Sequence, residues 1–153
     1  MCMIKHTKQI LLVDDDGDDC LFFKDAVEEL QLSVQLKILN DGEQLMHHLS
    51  KLTSDLPDAI FLDQNMPRKN GSECLSEIKG SDILLGIPII IFSTSYDESV
   101  AKSLYEQGAH YFICKPSSFE EFKKVICLAF TKLQQNREQP ELPNFFINKL
   151  ISV

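Results

Sequence analysis

Short apolar runs recur at fairly even intervals along this chain, and amphipathic stretches fill the gaps. The runs are Ile10–Val13, Ala59–Leu62, Ile87–Phe92 and Tyr111–Cys114, with a fifth segment, Val34–Leu39, that alternates apolar and polar residues. Short apolar runs bounded by polar turns form strands, and those with almost no internal polar residue suit strands covered on both faces. The stretches between them carry helical spacing. Phe23, Ala26, Val27 and Leu30 fall at i, i+3, i+4 and i+7, Leu45, Leu49 and Leu52 repeat that spacing with one gap, and Phe119, Phe122, Ile126, Ala129 and Leu133 form the longest stripe. The stretches 72–80 and 97–107 are weaker but end near Gly80 and Gly108, as helix C-termini do. A strand–helix pair repeated five times predicts an α/β fold: a five-stranded parallel sheet with helices on both faces and right-handed crossovers.

Such a sheet binds ligands at the carboxyl ends of its strands, near the point where the strand order reverses. The residues at those ends therefore carry the functional information. Asp14-Asp15-Asp16-Gly17-Asp18-Asp19 follows the first strand, Asp63-Gln64-Asn65-Met66-Pro67 the third, Ser93-Thr94-Ser95 the fourth and Lys115-Pro116 the fifth. Each group alone has an ordinary explanation. Acidic clusters make solvated turns and helix N-caps, and so do serines and threonines. Together they bring carboxylates, a hydroxyl and an ammonium to one edge of one sheet. Those are the parts needed to hold a divalent cation and a phosphoryl group.

Other readings of these residues fail on spacing. Asp14, Asp16 and Asp18 match the first three ligand positions of a calcium-binding EF-hand, but Asp19 stands where that loop needs glycine and Asp25 where it needs glutamate. No GxxxxGK[ST] loop and no GxGxxG after a strand supports nucleotide binding. The chain has 153 residues, 44% of them hydrophobic, which is one domain with a real core. Its 15 Lys and Arg against 23 Asp and Glu leave a net charge of −8, unsuited to general nucleic-acid binding. Five cysteines, scattered and odd in number, form neither a disulfide framework nor a zinc-ligand pattern, which points to a reducing, cytoplasmic setting. No signal peptide opens the chain, and no apolar run nears the roughly 18 residues of a membrane span.

From about Gln9 to Leu133 the sequence resembles a two-component response regulator receiver domain. The resemblance rests on ILLVDDD, on FLDQNMP with Gly71 eight residues after Asp63, on IPIIIFSTS and on FICKP. The DGDD opening, the Asp-Gln-Asn-Met-Pro loop and the Lys-Pro-Ser-Ser sequence are most similar to single-domain regulators, including the phytochrome-associated ones. The resemblance implies the flavodoxin-like (βα)5 fold over residues 9–134. It also implies roles. Asp63 is the nucleophile that takes a phosphoryl group from a sensor histidine kinase or a histidine phosphotransfer protein. Asp15 and Asp63, with the backbone carbonyl of Asn65, bind Mg²⁺, and Asp14 acts mostly through metal-bound water. Lys115 neutralises phosphoryl charge, and Pro116 shapes the turn that presents it, through a cis peptide. Ser93 is the switch hydroxyl. Phe112 is the aromatic switch, moving between exposed and inward rotamers, although core packing is its simpler reading. Strand alternation puts Tyr111 and Phe112 on opposite faces, so one of the two is a candidate for the surface. Gln64 and Thr94 line the site.

Residues 135–153 are expected to form a polar linker and an apolar tail with no output domain. The tail, Asn144–Val153, holds Phe145, Phe146, Ile147, Leu150 and Ile151. It either caps its own domain or supports a homodimer. Output then comes through protein contact or phosphorelay. Two other functions fit parts of the pattern. One is a small phosphohydrolase with an Asp nucleophile, which would need a second carboxylate where Asn65 stands. The other is a scaffold of receiver fold that takes no phosphate, against which the intact Asp14, Asp15, Asp63, Ser93 and Lys115 argue.

Overall fold

The computed structural model describes residues 7–148. Five strands, β1 (Lys8–Val13), β2 (Val34–Leu39), β3 (Ala59–Leu62), β4 (Ile89–Ser93) and β5 (Tyr111–Cys114), form one sheet in the order β2-β1-β3-β4-β5. All four pairings are parallel. The crossovers are α1 (Gly17–Glu29), α2 (Gly42–Ser50), α3 (Gly71–Lys79) and α4 (Glu98–Glu106), and α5 (Phe119–Gln135) follows β5. β2, β3 and β5 lie where the apolar pattern predicts them. β4 starts two residues later than its apolar run because Pro88 has no N–H for the ladder; it contributes only its carbonyl, which accepts from Ile60 N–H at 3.0 Å.

Each helix starts on a side-chain cap. Asp16, Asp41, Asn70, Asp97 and Ser118 all accept backbone N–H groups of the first turn, and Asn70 with Glu73 completes a reciprocal capping box. Every cap lies on the loop after a strand, so all five helix N-termini sit at the carboxyl end of the sheet. Asp16 thus shows that the acidic run after β1 is partly a cap, as its ordinary reading held.

The sheet divides two cores. Against α1 and α5 lies an aromatic one, with Phe23 and Phe61 at 4.9 Å and Phe92 and Phe122 at 5.3 Å between centroids. The other, under α2, α3 and α4, is mostly aliphatic, with Leu45, Leu75, Ile78 and Leu104. Central β3 is buried throughout, while β2 at the edge alternates. Among the described residues no helix is long and apolar enough to cross a membrane.

The segment after α5 is held along its length. Arg137 donates to the Asp58 carbonyl at 3.1 Å, Gln139 Nε2 to the carbonyls of Tyr105 (2.6 Å) and Ala109 (2.8 Å), and Tyr105 Oη to the Pro140 carbonyl at 2.8 Å. A 3₁₀ turn, Leu142–Asn144, then delivers Phe146 to a parallel bridge with Phe112 on the open edge of β5. Phe145 is 0% exposed and joins the aliphatic core, and Ile147 joins the aromatic one. The described part of the tail therefore packs on its own chain; Leu150 and Ile151 lie outside the described residues. This packing also overturns the expectation that Tyr111 or Phe112 faces solvent. Both are buried, because the tail and α4 cover one side of β5 and α5 covers the other.

Candidate functional site

The strand order reverses between β1 and β3, and each of those strands ends in an aspartate. Asp14 follows Val13, and Asp63 follows Leu62; they are 1% and 5% exposed. Asp15, beside them, is exposed. One carboxylate oxygen from each of Asp14, Asp15 and Asp63 lies within 4.8 Å of the others. Asp14 is oriented by the Asp16 N–H (2.9 Å), and Asp63 accepts from Asn65 N–H at 3.3 Å.

Lys115 enters from the neighbouring side. Its N–H bonds the Ser93 carbonyl at 2.8 Å, tying the ends of β4 and β5 together. Its ammonium pairs with Asp14, with Asp19 at 2.8 Å and with Asp63 at 3.8 Å, and the side chain is only 5% exposed. Burial opposes that charge, but the bonds Lys115 donates to Asp14 and Asp19 outweigh it, so the Lys115 pKa is raised and the group stays cationic. The carboxylates are less well served. Burial, then the charge of Asp14, pushes Asp63 up to about 7. Burial raises Asp14 as well, in spite of its bond from Lys115. The pocket is therefore short of positive charge, and a hard cation or a proton would relieve it.

Ser93 is buried and meets Asn65 rather than Asp63. Asn65 Nδ2 donates to Ser95 Oγ at 2.7 Å and to Ser93 Oγ at 3.3 Å. Behind them is a cavity of about 90 Å³, lined by Gln64, Asn65, Ser93, Ser95 and Phe112 among others. The Gln64 side-chain oxygen is buried without a hydrogen-bond partner among the described residues. Gly71 makes this packing possible: a Cβ there would fall 2.7 Å from the Asp63 carbonyl oxygen and 2.9 Å from Gln64 Oε1. A larger cavity, about 280 Å³, lies at the opposite end of the sheet beside Lys8, Asp58 and Arg137, away from all these groups.

The structure thus gathers Asp14, Asp15, Asp63 and Lys115 tightly, with Asn65, Ser93, Gln64 and Phe112 adjoining. Thr94 is exposed and outside the cavity lining. Pro116 is half-buried just beyond Lys115, and no peptide bond among the described residues is cis. The expected cis turn is not adopted; the trans isomer is favoured by about 0.5–1 kcal/mol and already places Lys115 in its ion pairs. Two contributors escaped sequence reasoning. Asp19 reaches Lys115 because it lies in the first turn of α1, and Ser95 holds Asn65. Their presence in the DDDGDD and Ser-Thr-Ser motifs was the available signal.

Comparisons with known proteins agree with this geometry. The chain is 31% identical over 123 residues to Response regulator Rcp1 of Synechocystis, covering 78% of this chain and 84% of that protein. It is 30% identical over 120 residues to the probable methanogenesis regulatory protein FilR2 of Methanothrix harundinacea, covering 76% and 77%. The solved Mn²⁺-bound form of Rcp1 superposes with a TM-score of 0.72 at 31% identity, over 78% of this chain and 89% of that one. The phosphorylated cyanobacterial phytochrome response regulator RcpA gives 0.73 at 28% identity, over 79% and 89%. The response regulator receiver domain model matches residues 10–127, a span running from β1 into α5 and containing every residue of the acidic pocket. With strand order, pocket and sequence in agreement, this chain belongs to the response regulator receiver domain family of two-component signalling.

Proposed function

We propose that Asp63 accepts a phosphoryl group from a phosphohistidine, carried by a sensor histidine kinase or a histidine phosphotransfer protein. The resulting aspartyl phosphate changes the domain's protein contacts or is passed onward. The observation that carries this reading is the buried Asp63, set at the β1/β3 crevice inside a three-carboxylate cluster with Lys115 3.8 Å away. A carboxylate oxygen forms the new P–O bond while the P–N bond to the donor imidazole breaks, and the nitrogen keeps that electron pair.

The chain's own groups fit the task. Lys115 supplies a fixed positive charge for the transferring phosphoryl oxygens. Ser93 offers a hydroxyl from β4, and Phe112 borders the cavity behind it. Gln64 borders that cavity too, while Pro116 follows Lys115 and the exposed Thr94 follows Ser93. The donor set for a metal is all hard oxygen: the carboxylates of Asp14, Asp15 and Asp63 with the Asn65 carbonyl. That set suits Mg²⁺, and the elevated Asp63 pKa marks a pocket in need of a cation. Bound there, Mg²⁺ would neutralise charge on the transferring group. Residues 9–134 carry this chemistry, and 135–153 carry none of it. The substrate is the protein's own aspartate, since Asn65 stands where an Asp-nucleophile phosphohydrolase needs its second carboxylate.

Incubation with acetyl phosphate and Mg²⁺, followed by intact-mass measurement, tests the assignment. A single phosphoryl adduct should form and should vanish in Asp63→Asn or on chelation of the metal. A Mg²⁺-dependent adduct persisting in Asp63→Asn would move the acceptor elsewhere.

A further inference from the structure

An edge strand leaves a row of N–H and C=O groups without partners unless something covers them. On β5 the outward groups of Phe112 and Cys114 are all satisfied by the C-terminal segment. Phe112 N–H donates to the Phe145 carbonyl at 2.9 Å, and Ile147 N–H donates to the Phe112 carbonyl at 3.0 Å. The Asn148 side-chain amide does the same for Cys114, accepting from its N–H at 3.1 Å and donating to its carbonyl at 2.8 Å. The aromatic rings add a second grip. Phe112 lies 6.2 Å from Phe145 and 5.8 Å from Phe146 between centroids, and Tyr96 covers the pair from outside, 6.1 Å from Phe112 and 6.0 Å from Phe146.

Both grips rest on residues tied to the acidic pocket. Tyr96 stands next to Ser95, whose hydroxyl is held by Asn65, two residues from Asp63. Cys114 precedes Lys115, whose ammonium is held by Asp14 and Asp19. A phosphoryl group on Asp63 adds strong acceptor oxygens beside the Asn65 amide, the Ser93 hydroxyl and the Lys115 ammonium. Charge-assisted bonds to it are roughly twice as strong as neutral ones, so these donors turn toward it. The Asn65–Ser95 bond is then lost, residues 93–96 shift, and Tyr96 leaves the ring pair. The cavity of about 90 Å³ between Ser93 and Phe112 gives the Phe112 ring room to follow.

We infer that residues 142–148 form a strap that phosphorylation of Asp63 releases from β5. This rests on Asp63 being the acceptor, as proposed above. The released edge presents the freed backbone N–H and C=O groups of Phe112 and Cys114 beside an apolar surface, a template for an extended segment of a binding partner. Because coupling between two sites is reciprocal, loosening the strap also favours the phosphorylated state.

Amide hydrogen exchange by NMR on the full chain, before and after acetyl phosphate and Mg²⁺, tests this, with intact mass measured on the same samples. The amides of Phe112, Cys114 and Ile147 should exchange at least about tenfold faster after phosphorylation, while those of β3 stay protected. Tyr96→Ala, at an exposed position, should reproduce part of that increase without phosphorylation, and Asp63→Asn should show no response to acetyl phosphate. A full adduct with unchanged or slower exchange at the three amides overturns the strap and leaves the acceptor in place. Absence of an adduct overturns both.

Discussion

The two ends of the sheet bury polar groups on different terms. At the amino end the buried ionisable residue is His110, which accepts the Ile89 N–H at 3.3 Å. Burial, more than the nearby Lys79, drives its pKa down to about 4, so it sits neutral at physiological pH. At the carboxyl end Asp14, Asp41, Asp63 and Ser93 are all buried. Asp41 is well supported by the Gln44 N–H and by Arg68, which hold its pKa below the usual range. Asp14 and Asp63 share one ammonium and stay under-compensated. His110 meets burial by staying neutral, whereas Asp14 and Asp63 stay crowded beside a single ammonium. The fold accepts that crowding at one end only.

The largest expected effect separates chemistry from stability at the reactive end. Asp63→Asn should abolish the phosphoryl adduct completely and yet raise the melting temperature of the metal-free protein, because one of two crowded carboxylates is gone. A lower melting temperature would break the contrast, showing Asp63 to be supported as well as Asp41 is. Lys115→Met probes the same end from the other sign. Breaking a buried ion pair by removing one partner typically costs about 3–5 kcal/mol, and urea unfolding should show a loss of that order, partly restored by Mg²⁺.

The pH dependence sharpens the comparison, since the two ends contribute with opposite slopes. His110 binds a proton more readily when unfolded, near 6.5, than when folded, near 4. Its contribution is therefore complete above 6.5 and disappears as the pH falls toward 4, about 3 kcal/mol in all at 1.36 kcal/mol per pKa unit. Asp63 does the reverse. Its folded pKa, about 7, lies above the ordinary 3.8, so stability falls as the pH rises through that interval. The two intervals overlap and largely cancel in the wild type, so unfolding free energies across pH 4–8 should fall with rising pH in His110→Gln, where the Asp63 slope remains, and rise with pH in Asp63→Asn, where the His110 slope remains. Smallest is the metal effect. At ten times its Kd, Mg²⁺ should add about 1.4 kcal/mol, with a smaller shift in Asp15→Asn. Equal shifts in both proteins would put the metal elsewhere.

How much of this was legible in the sequence follows from how local each signal is. Strand β3, AIFL between Asp58 and Asp63, is defined by its own composition, and so are the caps after each strand. The pocket was legible because its residues follow strands directly. The orientation of Lys115 toward Asp19 depends on the first turn of α1, and the Asn65–Ser95 bond on how two loops meet; neither is encoded in spacing. The tail was legible only as apolar. Phe145 and Phe112 are 33 residues apart, and nothing in either segment names the other, which left capping and dimer support as equal readings. Trans geometry at Pro116 and the burial of Tyr111 with Phe112 are likewise set by neighbours rather than by motif.

The order of synthesis gives the strap a further consequence. Every residue of the acidic pocket lies before Pro116, whereas Phe145, fully enclosed in the finished fold, leaves the ribosome after all of them. A nascent chain can thus assemble its acidic pocket while β5 still presents bare backbone groups and the ring of Phe112. That interval is the time of greatest exposure to edge-to-edge association. It closes only when Phe145 and Phe146 arrive.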